Sequence, residues 1–343
     1  MKTVSLNVAL ATAWLATSNP ARADDAPTGT FAIGAGYSSD EGFLAQARIA
    51  QPDLFHTGQG LSVSALISAL REDFVLGYDV PNLLGSDLDL HAELFDRSHT
   101  YPNVFTRESA GASLELGHRL SRATRVYVRY RVEQVHADPV IAARTTTPIE
   151  LGNGTVSALG AGLSYSTLDM PFLPTRGTHL ELYGESADRR LGSSYDVARL
   201  HAALDHARPL GPFTLRVHGH ATYVRAPGGV PLSERLFHDG RSDVIGYPID
   251  SIGSPLGDNL EAVGRAELEV PLVPCAGLSL AGFVNAGYRY NTDAAYGATG
   301  GLLYRSVGAS LIWRSPIGPL RFDLARALDG ERGWVFGFGL GAL

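Results

Sequence analysis

The segment from Arg125 to Val132 reads Arg-Val-Tyr-Val-Arg-Tyr-Arg-Val, and two kinds of side chain alternate along it. One face carries Arg125, Arg129 and Arg131 together with Tyr127, whereas the other face is apolar except for one tyrosine hydroxyl. A period of two indicates a β-strand whose two faces meet different surroundings. In a membrane β-barrel the apolar face meets lipid and the charged face lines a wet lumen. A strand of a soluble sandwich instead buries a large apolar face inside, so the segment favours the barrel.

The composition of the whole chain narrows the protein class further. The 343 residues include 28 basic and 35 acidic residues, which gives a net charge of −7, and only 18% are charged. After residue 23 no apolar run approaches the roughly 20 residues that a membrane-spanning helix needs, which argues against a helical membrane protein. The single cysteine, Cys275, excludes a structural disulfide. An acidic chain without a basic face argues against a nucleic-acid partner.

The alternation recurs in sixteen segments between residue 28 and residue 343, among them 177–187 and 302–315. Residues 24–343 number 320, and 320/16 = 20 residues for each strand with its connection, which suits spanning strands of about 9–11 residues. An even count puts both chain ends on the periplasmic side. The longest connection, roughly 226–258, is expected on the outer side. We predict an all-β fold: a transmembrane antiparallel β-barrel of 16 strands.

The first 23 residues have the pattern of an export signal. Lys2 gives a positive start, residues 4–17 are mostly apolar, and Ala21-Arg22-Ala23 has the small-x-small spacing of a cleavage site. We expect residues 1–23 to be a cleaved signal peptide and residues 24–343 to form one barrel in the bacterial outer membrane, surrounded by its lipid. No stretch indicates a linker or a second soluble domain.

The end of the chain carries a closing-strand signal. Gly333, Phe336 and Phe338 follow Glu331 in a polar-x-Gly-x-x-aromatic-x-aromatic pattern that is typical of terminal barrel strands. The chain departs from the pattern because it continues to Leu343 instead of ending on an aromatic residue.

Several motifs in sequence order resemble the bacterial surface antigen family, the BamA-like outer-membrane barrels. They are the first hairpin 31–42, the turn 53–58, the Pro-x-x-Pro-Thr-Arg-Gly turn 171–177, the stretch 231–240 and the stretch 306–323. The resemblance covers nearly all of the chain after residue 23. It implies a long extracellular loop that folds inward, and a role in the insertion or translocation of proteins, or of other polymers, at the outer membrane.

The inward loop of that family carries a Val-Arg-Gly-Phe/Tyr motif, whose arginine packs against the aspartate of a Phe-x-Asp-x-Gly strand motif. Here the loop reads Val244-Ile245-Gly246-Tyr247 and the strand reads Phe283-Val284-Asn285-Ala286-Gly287, so both charges are replaced. Losing both leaves a neutral site, whereas losing one would leave a buried charge unpaired. Arg241 could supply a hydrogen bond to Asn285. Alternatively, the loop packs through Tyr247 and needs no lock.

A second departure concerns the region before the barrel. Family members that assemble or secrete proteins carry periplasmic POTRA repeats there, but only about five residues separate Ala23 from the first strand. The sequence therefore predicts no POTRA domain. Any handling of client outer-membrane proteins would come from the barrel or from a separately encoded periplasmic partner.

Signals for an enzyme or a cofactor are weak, so we expect neither. The chain lacks a Gly-x-Ser-x-Gly nucleophile elbow. His218 and His220 share a strand face at a spacing that could hold a metal, but no third ligand is evident nearby. We interpret these histidines as lining the lumen and predict no metal, cofactor or catalytic residue.

Three function classes remain open: an assembly or translocation barrel, a passive pore or structural barrel, and, last, an outer-membrane enzyme. The first class would use a weak seam between the first and last strands. Glycines lie in the middle of both strands, at Gly34 and Gly36 and at Gly337 and Gly339, and each weakens a strand. The alternative is that small inward residues make room for the long loop.

Overall fold

The structure is a computed structural model, and it describes residues 29–38, 42–102, 104–139, 150–170, 173–238, 244–249, 251–293, 301–315, 318–330 and 333–340. Sixteen strands form a closed barrel. They are β1 Thr30–Ser38, β2 Gly42–Leu54, β3 Gln59–Ser68, β4 Arg71–Val80, β5 Leu88–Tyr101, β6 Phe105–Arg119, β7 Thr124–Pro139, β8 Gly154–Ser166, β9 Gly177–Ala187, β10 Val197–Leu210, β11 Phe213–Arg225, β12 Leu260–Val273, β13 Leu278–Tyr290, β14 Leu302–Ser315, β15 Gly318–Ala327 and β16 Trp334–Leu340. Short 3-10 turns lie at Leu83–Gly85, Arg189–Leu191, Leu232–Glu234 and Pro274–Ala276.

Every strand pairs antiparallel with its neighbours in sequence, and β16 closes the barrel against β1. The prediction of an all-β antiparallel barrel with sixteen strands is therefore confirmed. Full closure leaves no sheet edge, which is what a β-structure needs in a bilayer.

The alternation of side chains sets the two faces of the wall. Outward positions expose large apolar groups, such as Phe43 at 79% and Leu200 at 61%. Inward positions hold buried charges in pairs; for example, Arg131 Nη2 donates to Glu185 Oε1 at 2.9 Å. An apolar outside and a polar inside are the arrangement of an outer-membrane barrel.

Connection lengths orient the barrel. One end carries tight connections, such as the turn at Gly211, whose φ of +63° suits glycine. The opposite end carries the long loop that runs from β11 to β12. Because long loops lie outside and short turns lie in the periplasm, we take the end with this loop as extracellular.

Among the described residues, no helix is long and apolar enough to cross a bilayer.

Candidate functional site: the luminal loop and the strand seam

The connection between β11 and β12 comprises residues 226–259, and we call it the plug loop. Its described parts, 226–238, 244–249 and 251–259, fold into the lumen. Leu232, Leu236, Val244 and Tyr247 are each at most 1% exposed, although they belong to a connection and not to a strand. The resemblance implied this inward fold.

Four apolar clusters of described residues hold the plug loop against the wall. Leu236 packs with Val135, Val156 and Val224 in one cluster, and the other three contain Leu232, Val244 and Ile245.

Glu234 fixes the start of the plug loop to the wall formed by β6 and β10. Its Oε2 accepts from Arg199 Nη2 at 3.0 Å, and its Oε1 accepts from the Tyr195 hydroxyl at 3.0 Å and from Arg107 Nη2 at 3.5 Å. Arg107 also donates to Glu133 at 2.8 Å. Burial, and then the neighbouring carboxylate of Glu234, raise the pKa of Tyr195 well above its usual range, so this hydroxyl stays a donor.

Arg235 links the start of the plug loop to its end and to Asp293, which follows β13. It donates from Nε to Leu256 O at 2.8 Å, from Nη2 to Gly257 O at 2.8 Å, and from Nη1 to Asp293 Oδ2 at 2.7 Å. Gly257 has a φ of +77°, and a Cβ there would lie 2.7 Å from the Phe237 ring. The chain therefore needs glycine at this close approach.

The tip of the plug loop, residues 244–247, docks on β13, β14 and β15. Ile245 O accepts from Ser306 Oγ, and from Asn285 Nδ2 at 3.5 Å. The Tyr247 hydroxyl donates to Arg305 O at 2.9 Å. Gly246 has a φ of +110°, and a Cβ there would meet Ser306 Cβ at 3.1 Å. The tip is thus held by the Ile245 carbonyl and the Tyr247 hydroxyl, and its four residues carry no charge that could form an ion pair.

The structure brings together most of the residues that the sequence assigned to this site. Ile245 packs with Phe283 and Ala325, and Val244 lies over Gly287, where a Cβ would meet Val244 Cγ2 at 2.4 Å. Arg241 lies outside the described residues.

Asn285 also has a partner in the wall that the sequence analysis did not name. Arg265 Nε, on the adjacent β12, donates to Asn285 Oδ1 at 2.9 Å. The amide group can accept from Arg265 and donate to Ser306 Oγ at 3.0 Å at the same time. An aspartate in this position could only accept.

Sequence reasoning missed Glu234, Arg107 and Arg199 as the main ionic contact of the plug loop. Glu234 lies in the stretch 231–240 that carried part of the resemblance, but nothing local marks its partners, which are 127 and 35 residues away.

The seam between β1 and β16 is the shortest ladder in the described part of the barrel. It pairs Ala35 to Ser38 with residues 340 to 337, which is four pairs, whereas β6 and β7 form fifteen. Gly36 lies opposite Gly339, and Gly337 pairs with Ser38.

The remaining seam and closing-strand residues surround this short ladder. Gly34 is paired with Gln46 of β2 but with no described residue of β16. Gly34 and Gly36 are buried, as are Gly337 and Gly339, so the inner side of the seam carries little bulk. Phe336 is exposed on the outward face, Phe338 shares that face, and Gly333 precedes β16.

The luminal histidines lie in a polar network. His218 Nδ1 is 2.6 Å from Asp205 Oδ1, and His220 Nε2 is 3.9 Å from Glu261 Oε1. Within the described ranges, no three His, Cys, Asp or Glu side chains are grouped so that they could hold a metal ion.

Comparisons with known proteins agree with this geometry. The sequence model of the Omp85 superfamily domain matches residues 53–342. The chain is 26% identical over 317 residues to the outer membrane protein assembly factor BamA of Nitratidesulfovibrio vulgaris, a match that covers 89% of the chain and 40% of that protein. BamA of Neorickettsia risticii is 24% identical, over 91% of the chain and 44% of its own length. The chain therefore spans less than half the length of these relatives.

Two solved structures share the fold. BamA from Haemophilus ducreyi lacking POTRA domains 1–3 superposes with a TM-score of 0.76 at 20% identity, covering 91% of this chain and 70% of that one. CdiB from Acinetobacter baumannii superposes with a TM-score of 0.67 at 16% identity, covering 91% of this chain and 59% of that one.

Proposed function

The chain belongs to the Omp85 superfamily, and from that premise we propose that its barrel inserts or translocates proteins at the outer membrane by opening the seam between β1 and β16. The observation that carries the proposal is the ladder of four described pairs between these strands. Among the described residues, no other neighbouring pair of strands has so few paired positions.

Glycine residues weaken the pairing of β1 with β16 further. Each glycine inside a strand costs roughly 0.5–1 kcal/mol relative to alanine, and Gly36 and Gly339 face each other across the seam. When the strands part, their free N–H and C=O groups offer an edge to which a client strand can add.

The plug loop supports the proposal because it braces the walls away from the seam. Glu234 binds β6 and β10 residues, while the tip binds β13 and β14 residues. None of the hydrogen bonds just named involves β1 or β16. The wall can therefore open at the seam while the plug loop stays docked.

The further parts of the proposal concern partners and export. Clients would be other outer-membrane proteins, and a separately encoded periplasmic protein would deliver them. Residues 1–23 would direct export and be removed, and the barrel would perform no enzymatic reaction.

A disulfide lock tests the proposal. Gly36→Cys with Gly339→Cys, in a Cys275→Ser background, puts two thiols at paired positions of the seam. The matched control is Gly219→Cys with Gly264→Cys, a glycine pair across β11 and β12. Both barrels are oxidised in cells that lack the native gene, and recovery of the deletion phenotype is scored.

We expect the locked seam to abolish complementation and reduction to restore it, while the locked control complements throughout. Complementation by the locked seam would refute the proposal and favour the passive pore or structural barrel. Loss of function in both locked barrels would also refute it, because the seam would then have no special role.

A further inference from the structure

The outward face of β8 to β11 carries a groove. Its floor consists of four small residues, Ala161, Gly184, Ala202 and Ala221, and its volume is about 600 Å³. These strands lie on the opposite side of the barrel from the seam, since β8 and β9 are halfway around a ring of sixteen.

Strand register explains why the groove exists. Ala161 pairs with Gly184, and Ala202 pairs with Ala221, so small side chains sit next to each other across neighbouring strands. Leu182 and Leu200 project beside them and are 45% and 61% exposed. The small side chains beside these two leucines leave the groove in the outer face of the wall.

Tyrosines give the depth of the groove in the bilayer. Tyr223 and Tyr288 are outward and 37% and 38% exposed, and Tyr290 shares their face near the extracellular ends of the strands. Outward aromatic residues mark the interface between lipid tails and headgroups. Tyr223 lines the groove directly beyond Ala221, so the groove lies in the apolar layer of the extracellular leaflet.

A cationic side chain, that of Arg225, lies on the extracellular side of this interface. Arg225 is the next outward residue beyond Tyr223, it is exposed, and its cross-strand partner is the small Ala198. By contrast, the guanidinium of Arg305, at the same end of the barrel, forms an ion pair with Asp329, with 2.6 Å between Nη2 and Oδ1. Arg225 is therefore placed where the phosphate of a lipid would lie if its tail occupied the groove.

We propose that this groove seats one acyl chain of a phosphorylated lipid of the extracellular leaflet, with the lipid phosphate on Arg225. The groove supplies apolar contact along the chain, and the guanidinium supplies charge and paired donors for the phosphate. The site would fix the depth and orientation of the wall opposite the seam. It does not depend on the proposed function, because none of its residues touches the seam.

Binding of diphosphorylated lipid A to the purified full chain, measured by native mass spectrometry, tests the proposal. Ala202→Leu with Ala221→Leu fills the floor, and leucine suits an outward position. The matched control is Ala47→Leu with Ala65→Leu, an outward alanine pair across β2 and β3. Arg225→Gln removes the cation, and Arg208→Gln is its control, an exposed arginine near the periplasmic end of β10.

We expect the filled groove to weaken binding about tenfold, as if two methylene groups lost their apolar contact. Arg225→Gln should weaken binding about two- to fivefold, the range of an exposed charge pair, and should reduce its salt dependence. Both controls should bind like the parent chain. Equal binding by the filled groove and its control, or an effect of Arg225→Gln with none from the filled groove, would overturn the proposal.

Discussion

Replacing Glu234 by glutamine should release the plug loop while leaving the barrel closed. The substitution keeps the size of the side chain but removes the charge that Arg199 and Arg107 share. Glu234 is 2% exposed, so the two guanidinium groups lose a buried counter-ion and gain no water in exchange.

The magnitude follows from these contacts. Removing one partner of a buried ion pair costs about 3–5 kcal/mol. Arg107 keeps Glu133 at 2.8 Å, so the lower end, about 3 kcal/mol, is the better estimate. Since 1.4 kcal/mol is a factor of ten, the opening equilibrium of the plug loop should rise by about a hundredfold.

Thiol labelling measures this equilibrium. Ser254 lies in the plug loop and is 5% exposed, so Ser254→Cys in a Cys275→Ser background reacts with a maleimide only when the loop opens. Labelling should speed up about a hundredfold in Glu234→Gln, while heat-modifiable gel mobility stays that of a folded barrel.

Glu115→Gln is the matched control, because Glu115 is also a buried carboxylate between two arginines, Arg125 and Arg129, on the strand that carries Arg107. It touches no described residue of the plug loop, so labelling should not change. The same rate in Glu234→Gln and the parent chain, or the same acceleration in Glu115→Gln, would refute the reasoning.

Three further predictions concern the tip of the plug loop and the lumen. Asn285→Asp should weaken tip docking, because the carboxylate cannot donate to Ile245 O or Ser306 Oγ. Adding Ile245→Arg should restore tip docking. Equal heat-modifiable mobility of the single and double variants would count against a pairing between positions 245 and 285. Gly246→Ala should destabilise tip docking by at least ~1 kcal/mol, through strain at positive φ and contact with Ser306. Gly228→Ala, at a φ of +89° with open space around it, should cause the strain without the contact. The same labelling rate at Ser254→Cys in both variants would contradict this. Chelators should leave stability unchanged, and stoichiometric zinc binding that is lost in His218→Ala would disprove the absence of a metal site.

The sequence predicted the barrel well because the signals that define it are local. Segments 177–187 and 302–315 coincide with β9 and β14, since the alternation of side chains and the flanking Gly, Pro and Thr residues lie within a few positions of each strand. Of the closing-strand signal, Phe336 and Phe338 lie in β16 and Gly333 directly precedes it.

The site was predicted less completely, because its partners meet only after the barrel closes. The loss of both motif charges at Ile245 and Asn285 could be read directly from the sequence. The ionic contact of Glu234 with Arg107 and Arg199 could not, since it joins a connection to two strands, β6 and β10, that are far from it in the chain. In a lumen that holds many arginines and carboxylates, composition alone does not say which ones pair.

Hydrogen–deuterium exchange tests the central claim, that the barrel opens at its seam, most directly. Amides exchange through local openings, and a ladder of four pairs should open more readily than one of fifteen. We predict that peptides covering Ala35 to Ser38 and Trp334 to Leu340 exchange fastest among all strands of the barrel in bilayer nanodiscs, with β6 and β7 slowest. Protection of β1 and β16 equal to that of β6 and β7 would contradict the account.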